Sequence, residues 1–494
     1  MASFLPYGDS LHEECGVVGL RSSDNDVARL AFFGLFALQH RGQESAGIAS
    51  ADGSEIHIVS NMGLVNQVFR EEDLEQLVGN IAIGHTRYST TGSSTEKNAQ
   101  PCLVHSPDIS LAVGHNGNIT NAQALRTELI EQGIVFRSTN DTEVIAHLLA
   151  CSPASSIEER CQYAMKRLQG AYSLVILTKD KLVAMRDPMG VRPFSLGKLP
   201  ADKPGWVVAS ETCALDHIGA VYERDIDPGE IVVFEHESVH SIRSPQKPVK
   251  TALCSFEHIY FSRPDSILEN SSVYMLRRQM GARLFREHPV SADVVIGIPD
   301  SATPAAEGFA QESGIPYSQG LTKNRYVGRT FIQPDQGLRD LGVRMKFNPL
   351  TDVLKGKKIV VVDDSIVRGT TTPHVINLLR KAGAKEVHLR VCAPPIRFPC
   401  HFGVDMATRK ELIANQRTVS EVQALVGADS LGYLSVEGLH SVLGAGVDTH
   451  CDACFTGDYP IPVQLEMDKL AFEPTPSRNI TEDGQDWRNQ TQRR

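Results

Sequence analysis

One short segment, residues 359–372, reads IVVVDDSIVRGTTT and joins an apolar stretch, an acidic pair and a hydroxyl-rich turn. Asp363 and Asp364 can accept hydrogen bonds from the vicinal hydroxyls of a ribose or hold a magnesium ion. The turn offers hydroxyls and backbone N–H groups to a phosphate at the start of a helix. Its candidate binding residues are Ser365, Arg368, Gly369, Thr370 and Thr371. These residues predict a sugar-phosphate site, and the alternative is an Asp-rich turn that only caps a helix.

A second candidate is Cys15, which directly precedes the apolar run GVVGL. A cysteine in such a place is most often a small buried residue. An amino-terminal cysteine can instead act as a nucleophile, because its own α-amine, with an ordinary pKa of about 8, can take the thiol proton.

The third candidate is a set of cysteines near the carboxyl end. Cys451 and Cys454 form the sequence CDAC, a spacing that brings two thiolates onto one metal centre. Two more ligands are needed, and the number of ligands alone does not decide between zinc and an iron-sulfur cluster. Ten cysteines scattered over 494 residues do not make a secreted disulfide scaffold.

The elements that position these residues differ between the two halves of the chain. As far as about residue 237, short alternating segments such as IHIVS and EIVVFE predict antiparallel strands with one buried face. Three- and four-residue spacing predicts helices over 26–39, 121–132, 141–149 and 157–169. From about residue 254, strand and helix patterns alternate and predict a parallel, doubly covered sheet. The linker SIRSPQKPVK lies between the halves, and the polar segment 472–494 is expected to be disordered.

Composition and charge limit the kinds of partner. The net charge is −10, and no basic cluster is long enough to follow a nucleic-acid backbone or an anionic membrane surface. No apolar run is long enough to span a bilayer, and the amino terminus has no hydrophobic signal core. The sequence thus favours a cytoplasmic protein without nucleic-acid or membrane partners.

Several segments of the first half strengthen the nucleophile hypothesis. They read QHRGQESAG (39–47), GHTRYSTTG (84–92), HNGN (115–118) and TNDTE (139–143). Together with Cys15, they resemble the glutaminase domain of class II glutamine amidotransferases, which are amino-terminal nucleophile hydrolases. The resemblance implies an α+β fold of four layers (αββα) over residues 15–245. It also implies that Cys15 becomes the amino-terminal residue, which requires cleavage between Glu14 and Cys15, so residues 1–14 would be a propeptide.

The same resemblance implies roles for individual residues. Cys15 is the expected nucleophile, and Asn116 with Gly117 would form the oxyanion hole. Asn-Gly between alternating segments is also the strongest hairpin-turn signal. Arg87 and Asp141 would bind the α-carboxylate and the α-ammonium of glutamine, with a surface salt bridge as the alternative for each. Two further expected residues of the glutamine pocket are Arg41 and Gly42.

The run 359–372 resembles the signature with which phosphoribosyltransferases bind phosphoribosylpyrophosphate (PRPP). It implies an α/β type I phosphoribosyltransferase domain over residues 254–465. The basic segment 323–334, which begins at Lys323, is expected to close over the pyrophosphate, and a solvated loop is its alternative. The resemblance implies that Ser301, Asp363 and Asp364 hold magnesium.

The two halves together resemble the glutamine PRPP amidotransferase family, which takes glutamine and PRPP to 5-phosphoribosylamine, pyrophosphate and glutamate at the first committed step of purine synthesis. The iron-sulfur subgroup of that family implies a four-iron four-sulfur cluster. Its expected ligands are Cys254, Cys400, Cys451 and Cys454. Cys392 is the competing choice for Cys400. The family also implies a homotetramer inhibited by purine nucleotides.

Two other functions are compatible with parts of the sequence. Another class II amidotransferase would share the first half only. A PRPP-sensing regulator without catalysis would need the second half only, and the intact set of Cys15, Arg87, Asn116 and Asp141 disfavours it.

Overall fold

The structure is a computed structural model, described here over residues 15–23, 26–88, 92–235, 238–243, 250–324, 346–404, 409–444, 449–463 and 472. The predicted propeptide 1–14 lies outside these residues. So do positions 325–334 of the predicted closing segment and positions 473–494 of the predicted tail. Phe472, the first residue of that tail, packs beside Arg126, whose guanidinium lies 4.8 Å from the ring centroid.

The first half of the chain forms two antiparallel sheets. The strands of the seven-stranded sheet follow the order Val221–Asp225, Ser195–Lys198, Gly205–Ala209, Gly16–Ser22, Ile81–Arg87, Ser45–Ala51 and Ile56–Met62. The strands of the six-stranded sheet follow the order Ser238–Arg243, Glu230–Glu235, Leu182–Arg186, Gly170–Leu177, Ser110–Ile119 and Cys102–His105. The α-helices of this half are Val27–Ala37, Val65–Val68, Glu71–Gln76, Ala122–Glu131, Asp141–Ala150, Ile157–Arg167 and Thr212–His217.

These two sheets stack face to face and are covered by helices on their outer faces. Val17 and Ile83 of one sheet share a buried cluster with Val175 and Val232 of the other. The strand Ser45–Ala51 is buried at every position. The expectation of one buried face was therefore wrong for the central strands, because the second sheet and the helices each cover one face. The edge strand Ser238–Arg243, in contrast, has no fully buried residue. The four-layer αββα fold is confirmed.

The second half contains a parallel sheet of four strands. Their order is Val294–Gly297, Lys358–Asp363, Glu386–Val391 and Ser430–Tyr433. The helices of this half are Val273–Glu287, Thr303–Ser313, Thr351–Leu354, Thr371–Lys381, Val419–Val426, Val436–Leu443 and Ala453–Thr456. Alternate residues of the central strand pack into different clusters, Val360 on one face and Val361 on the other. The predicted doubly covered parallel sheet is confirmed.

Short paired strands complete the second half. Leu253–Cys254 pairs in parallel with His450–Cys451, and Leu321–Lys323 pairs with Phe347–Pro349. A turn joins Ile267–Leu268 to Ser271–Ser272. Between the strands Leu253–Cys254 and Ile267–Leu268, residues Glu257–Phe261 form a short π-helix. No helix within the described residues has the length and apolarity required to cross a membrane.

Candidate active sites

Cys15 lies at the start of the central strand Gly16–Ser22. Its Sγ donates to the carbonyl of Tyr88 at 3.3 Å, and the side chain is only 4% exposed. Burial raises the pKa of the Cys15 thiol to about 11. At neutral pH the thiol is therefore protonated, and it needs a base to become a nucleophile.

Asn116 and Gly117 lie inside the strand Ser110–Ile119, where Gly117 is opposite Tyr172 of the neighbouring strand. The hairpin-turn alternative for this pair is wrong, because the strand continues through both residues. Gly117 has a φ of +145°, and a Cβ there would come within 2.0 Å of the Ala171 carbonyl oxygen. Only glycine fits this conformation and this close approach.

A serine connects Asn116 with the strand that follows Cys15. The Asn116 Nδ2 donates to Ser210 Oγ at 3.4 Å, and Ser210 Oγ accepts from the Val17 N–H at 3.0 Å. Asn116 is fully buried, and its Oδ1 has no hydrogen-bond partner among the described residues. Ser210 thus ties the Asn116 side chain to Val17, two residues after Cys15. A buried amide in this position is well suited to bind a polar reacting group.

The charges of Arg87 and Asp141 shift the pKa of the Cys15 thiol in opposite directions. The Arg87 charge lowers the pKa of Cys15, and the Glu44 and Asp141 charges raise it. Arg87 Nη1 donates to the Ser93 carbonyl at 3.2 Å and lies 3.8 Å from a Glu44 carboxylate oxygen. The structure therefore places a buried cation, Arg87, and a buried anion, Asp141, in the same site. Because both side chains are buried, neither forms the surface salt bridge that was the alternative.

Asp141 begins the helix Asp141–Ala150. Its Oδ2 accepts from the Ile119 N–H at 3.0 Å and lies 3.7 Å from His115 Nδ1. Burial alone would raise the pKa of this carboxyl, but His115 and the backbone hydrogen bonds outweigh it, and the pKa lies below its ordinary value. Asp141 is thus an anion that can pair with an ammonium group.

Arg41 is buried and fully engaged. Its Nε donates to the Cys15 carbonyl at 3.1 Å, and its terminal nitrogens contact Glu211 and Glu257, each at 2.7 Å. The neighbouring Gly42 is close-packed, since a Cβ there would come within 2.5 Å of the Thr86 carbonyl carbon. Arg41 therefore contacts the backbone of Cys15 while both its carboxylate partners hold it in place.

The sequence analysis missed Glu211, Glu257 and Ser210, which hold Arg41 and Asn116. Glu257 and Ser210 are separated from their partners by 216 and 94 residues. Glu257 stands in the segment CSFEHIYFSRPDS, which the analysis noted only for Cys254. A charged glutamate among apolar residues, in the run FEHIYF, was the available signal.

The acidic pair of the second half lies at the carboxyl end of the strand Lys358–Asp363. Asp364 Oδ2 accepts from Ser301 Oγ at 2.5 Å, and Asp364 Oδ1 accepts from Ser365 Oγ at 2.8 Å. Burial raises the pKa of Asp364 above its ordinary value. The structure therefore brings Ser301 to the acidic pair, although 63 residues separate them in the chain.

The loop after Asp364 leads into the helix Thr371–Lys381, and Thr370 is its N-cap. Gly369 has a φ of +70°, and a Cβ there would come within 2.2 Å of Ile413 Cδ1. Arg368 Nε lies 3.9 Å from a Glu411 carboxylate oxygen. Exposed N–H groups and the helix dipole make such a helix start suitable for a phosphate. The arrangement is more than an Asp-rich cap, since it joins a helix start, an acidic pair and a serine from another loop.

Lys323 ends a short strand at the same edge of the sheet. Its Nζ lies 2.8 Å from Asp300 Oδ2, next to Ser301. The lysine is one-third exposed, so its charge can be reached by an anionic ligand. The structure thus brings Lys323 near the Ser301 loop.

The four predicted cluster cysteines come together. Cys254 and Cys451 are opposite each other on paired strands. Cys454 lies in the short helix Ala453–Thr456 that follows. Burial raises the pKa of Cys454, and the negative charges of Cys254, Cys451 and Cys400 raise it further. Cys392 instead interacts with Asp363 and Asp364 and is 3% exposed. These neighbours favour Cys400 over Cys392 as the fourth thiol.

Spacing also separates the two metal alternatives. Among the described residues, three potential ligand atoms approach within 4.8 Å of one another at His258, Glu269 and His450, and the thiols form no such group. A single tetrahedral zinc, with Zn–S near 2.3 Å, requires sulfur atoms about 3.8 Å apart. Among the described residues, the thiols are thus not drawn together around a single zinc ion.

Similarity to known proteins agrees with the two folds. Residues 85–217 match the model of a glutamine amidotransferase domain, and residues 264–398 match that of a phosphoribosyl transferase domain. The amidophosphoribosyltransferase of Synechocystis is 49% identical over 94% of this chain and 95% of its own length. That of Methanocaldococcus jannaschii is 48% identical over 92% and 98%.

Two solved structures share the complete architecture. Glutamine PRPP amidotransferase from B. subtilis, complexed with ADP and GMP, is 43% identical with a TM-score of 0.86, and the match covers 92% of this chain and 99% of that one. A structure described as the allosteric regulatory enzyme of purine biosynthesis is 44% identical, also with a TM-score of 0.86, over 91% and 97%.

A glutaminase fold with a buried cysteine, joined to a phosphoribosyltransferase fold, defines a glutamine-dependent transferase with two catalytic domains. The high identity over nearly the whole chain makes the assignment specific. The chain belongs to the amidophosphoribosyltransferase family.

Proposed function

We propose that the chain carries out the amidophosphoribosyltransferase reaction of purine biosynthesis in two linked steps, one in each domain. Glutamine is hydrolysed at Cys15, and the ammonia displaces pyrophosphate from PRPP to give 5-phosphoribosylamine. The observation that carries this linkage is the buried Arg41, which bonds to the Cys15 carbonyl in one domain and to Glu257 in the other. A single side chain, Arg41, therefore links the backbone position of Cys15 to the position of Glu257 in the second domain.

The first step needs a free α-amine on Cys15. Removal of residues 1–14 supplies a base that takes the thiol proton, which burial otherwise retains. The thiolate attacks the glutamine amide carbon, ammonia leaves, and water releases glutamate from the thioester. Asn116 and Gly117 donate to the oxyanion that develops on the attacked carbonyl.

Two charged side chains select glutamine. Arg87 binds the α-carboxylate, exchanging its contact with Glu44 for a stronger charge-assisted pair. Asp141, held as an anion beside His115, binds the α-ammonium group. Arg41 and Gly42 shape the wall of the pocket, and Arg41 acts by positioning the Cys15 backbone.

Ammonia must reach the second site without gaining a proton. A dry passage between the domains keeps its lone pair available, and closure of segment 323–334 over PRPP completes the passage and activates the glutaminase. Lys323, near Asp300 and the Ser301 loop, marks the base of that segment and contacts the pyrophosphate.

The second step takes place at the carboxyl end of the parallel sheet. Asp363 and Asp364 bind the ribose hydroxyls, and the helix start binds the 5′-phosphate. The phosphate-binding residues are Ser365, Arg368, Gly369, Thr370 and Thr371. Ammonia attacks the anomeric carbon through an oxocarbenium-like state as pyrophosphate leaves.

Magnesium fits the oxygen ligands of this site. Ser301, Asp363 and Asp364 supply a hydroxyl and two carboxylates, the ligand type that magnesium prefers. Magnesium held by these residues would supply positive charge to the leaving pyrophosphate. A purine nucleotide can bind the same phosphate loop, and we propose that purine nucleotides inhibit the enzyme there.

A four-iron four-sulfur cluster fits Cys254, Cys400, Cys451 and Cys454. The Phe402 N–H donates to Cys400 Sγ at 3.3 Å, the kind of hydrogen bond that cluster ligands receive. Neither half-reaction transfers electrons, so the cluster acts as a structural unit. We further propose a homotetramer, a cytoplasmic location, and domains over 15–245 and 254–465 after a propeptide of 1–14.

The alternative functions account for less of the molecule. Another class II amidotransferase would not explain the second domain, which the relatives share. A silent PRPP sensor would not explain why the buried Cys15 feels the charge of Arg87 and why Asn116 is held by Ser210, which also bonds to Val17.

The direct test measures glutamate and pyrophosphate release by anaerobically purified protein, with and without PRPP and magnesium. Glutamate release strongly stimulated by PRPP, with an equal amount of pyrophosphate, supports coupled sites. Glutamate release that ignores PRPP, without pyrophosphate, would leave only the glutaminase step.

A further inference from the structure

A second group of side chains with metal-ligand chemistry lies apart from the four cysteines. Its members come from the π-helix Glu257–Phe261, the turn between Leu268 and Ser271, and the strand His450–Cys451. It consists of His258, Glu269 and His450, each with one ligand atom within 4.8 Å of the others. None of these residues takes part in the two reactions derived above.

The buried histidine of this group has unsatisfied polar atoms. His258 is 2% exposed, and neither of its ring nitrogens has a hydrogen-bond partner among the described residues. Leaving a buried polar group unpaired costs about 1–3 kcal/mol, so such groups usually have a ligand or a function. Its ring lies 5.3 Å from that of His450, between centroids. Burial lowers the pKa of His258 to about 3, so the imidazole is neutral, the form that binds a metal ion.

The other two residues are arranged to complete a site. His450 Nε2 lies 3.5 Å from Glu269 Oε2, and its Nδ1 faces the Thr449 hydroxyl at 3.0 Å. A hydrogen bond to the second ring nitrogen orients many metal-binding histidines. Glu269 has a φ of +47°, in a region that non-glycine residues rarely occupy, and its side chain is 47% exposed. The strained turn directs a carboxylate to two imidazoles and leaves one side open to solvent.

We propose that His258, Glu269 and His450 bind a divalent cation of the zinc class. Two imidazole nitrogens and one carboxylate oxygen are a common zinc ligand set, and the open side leaves a fourth position for water. This site is separate from the magnesium ligands and from the four cysteines, although His450 adjoins Cys451.

The position of His258 gives the site a structural consequence. His258 lies in the π-helix Glu257–Phe261, next to the glutamate that holds Arg41. Such π-turns often mark functional sites. A cation that fixes His258 against His450 also fixes the π-helix relative to the segment that carries the cysteines.

The test is equilibrium dialysis of the full-length, iron-loaded protein against micromolar zinc, with zinc and iron measured in the same samples. We expect one zinc per chain, at unchanged iron content, and at least tenfold weaker binding in Glu269→Gln. The Glu269→Gln variant should fold like the wild type, because the Glu269 side chain is about half exposed. His258→Gln should also lose the zinc. The matched control is Glu75→Gln, an exposed glutamate outside the group.

Equal zinc affinity in the wild type and Glu269→Gln would overturn the proposal, as would zinc that appears only when iron is lost. Anomalous scattering at the zinc edge gives an independent readout. A peak between the three side chains supports the site, and a peak at the cysteines alone rejects it.

Discussion

Arg41 and Glu257 form a fully buried ion pair across the two domains, with Arg41 Nη2 2.7 Å from Glu257 Oε1. The same guanidinium bonds to Glu211 and to the Cys15 carbonyl. A side chain that connects a nucleophile with the neighbouring domain can make hydrolysis of one substrate depend on binding of the other. Several expected outcomes follow from this and from the other contacts of the two sites.

Glu257→Gln removes one charge from the buried pair. Loss of one partner from a buried ion pair costs about 3–5 kcal/mol when the other charge is left without compensation, and Arg41 keeps Glu211 as a partner, so the expected loss lies below that range. We expect a lower free energy of unfolding and weaker stimulation of glutaminase by PRPP. Chemical denaturation and glutamate release measure the two effects. Glu71→Gln, which breaks an exposed pair with Arg29, is the control and should change neither.

Cys15→Ala should abolish glutamine-dependent formation of 5-phosphoribosylamine, by at least 10³-fold, because no nucleophile remains. Synthesis from ammonium chloride should persist, since the second site is intact. Intact-mass analysis of active wild-type enzyme should show a chain that begins at Cys15. An active enzyme that still carries Met1 to Glu14 would contradict the proposed mechanism.

Gly403→Ala tests the contact between the second domain and the oxyanion hole. A Cβ at Gly403 would come within 3.0 Å of the Gly117 carbonyl carbon. We expect the glutaminase kcat to fall at least tenfold while ammonia-dependent synthesis stays near wild type. Gly427→Ala is the matched control, because Gly427 also has a positive φ, +75°, but its Cβ would meet nothing within 4 Å. Similar losses in both variants would point to backbone strain alone.

Binding of magnesium with PRPP should weaken as the pH falls. Burial raises the pKa of Asp364, so this carboxyl gains a proton at a higher pH than an ordinary aspartate, and a protonated carboxyl binds magnesium poorly. Calorimetric titrations from about pH 8 to about pH 4 should show that the loss begins above the ordinary aspartate pKa of about 3.9. Asp364→Asn should remove most of this pH dependence together with most of the affinity. A flat profile in the wild type would argue against Asp364 as a ligand.

Cys400→Ser should lower the iron and sulfide content from roughly four of each per chain, because one cluster ligand is lost. Cys392→Ser is the control, since the negative charges that act on the buried Cys392 are those of Asp364 and Asp363. Metal analysis of anaerobically purified protein distinguishes the two variants. Zinc without sulfide in the wild type would instead favour the single-metal alternative.

Much of the fold was predictable because it depends on local periodicity. The predicted helix over 26–39 is observed as Val27–Ala37, and that over 141–149 as Asp141–Ala150. The apolar run before the acidic pair is the central strand Lys358–Asp363. Side-chain spacing and residue type reveal such elements directly, since each forms its hydrogen bonds within a short stretch or with one neighbour.

The burial of both faces of the first-domain strands was not predictable in this way. Val17 packs against the second sheet, while Val18 of the same strand packs against a helix. Alternation in a sequence reveals which residues share a face, but it does not reveal what covers the other face.

The amino-acid sequence by itself determined the chemistry of the protein: a cysteine that can become amino-terminal, an acidic pair at a strand end, and paired cysteines near the carboxyl end. Only the tertiary structure decided which distant groups complete each site. Ser301 reaches Asp364, Glu257 reaches Arg41, and Gly403 packs on Gly117. The physical reason is that these contacts join residues far apart in the chain, and their distances depend on how whole layers pack, which no local pattern encodes.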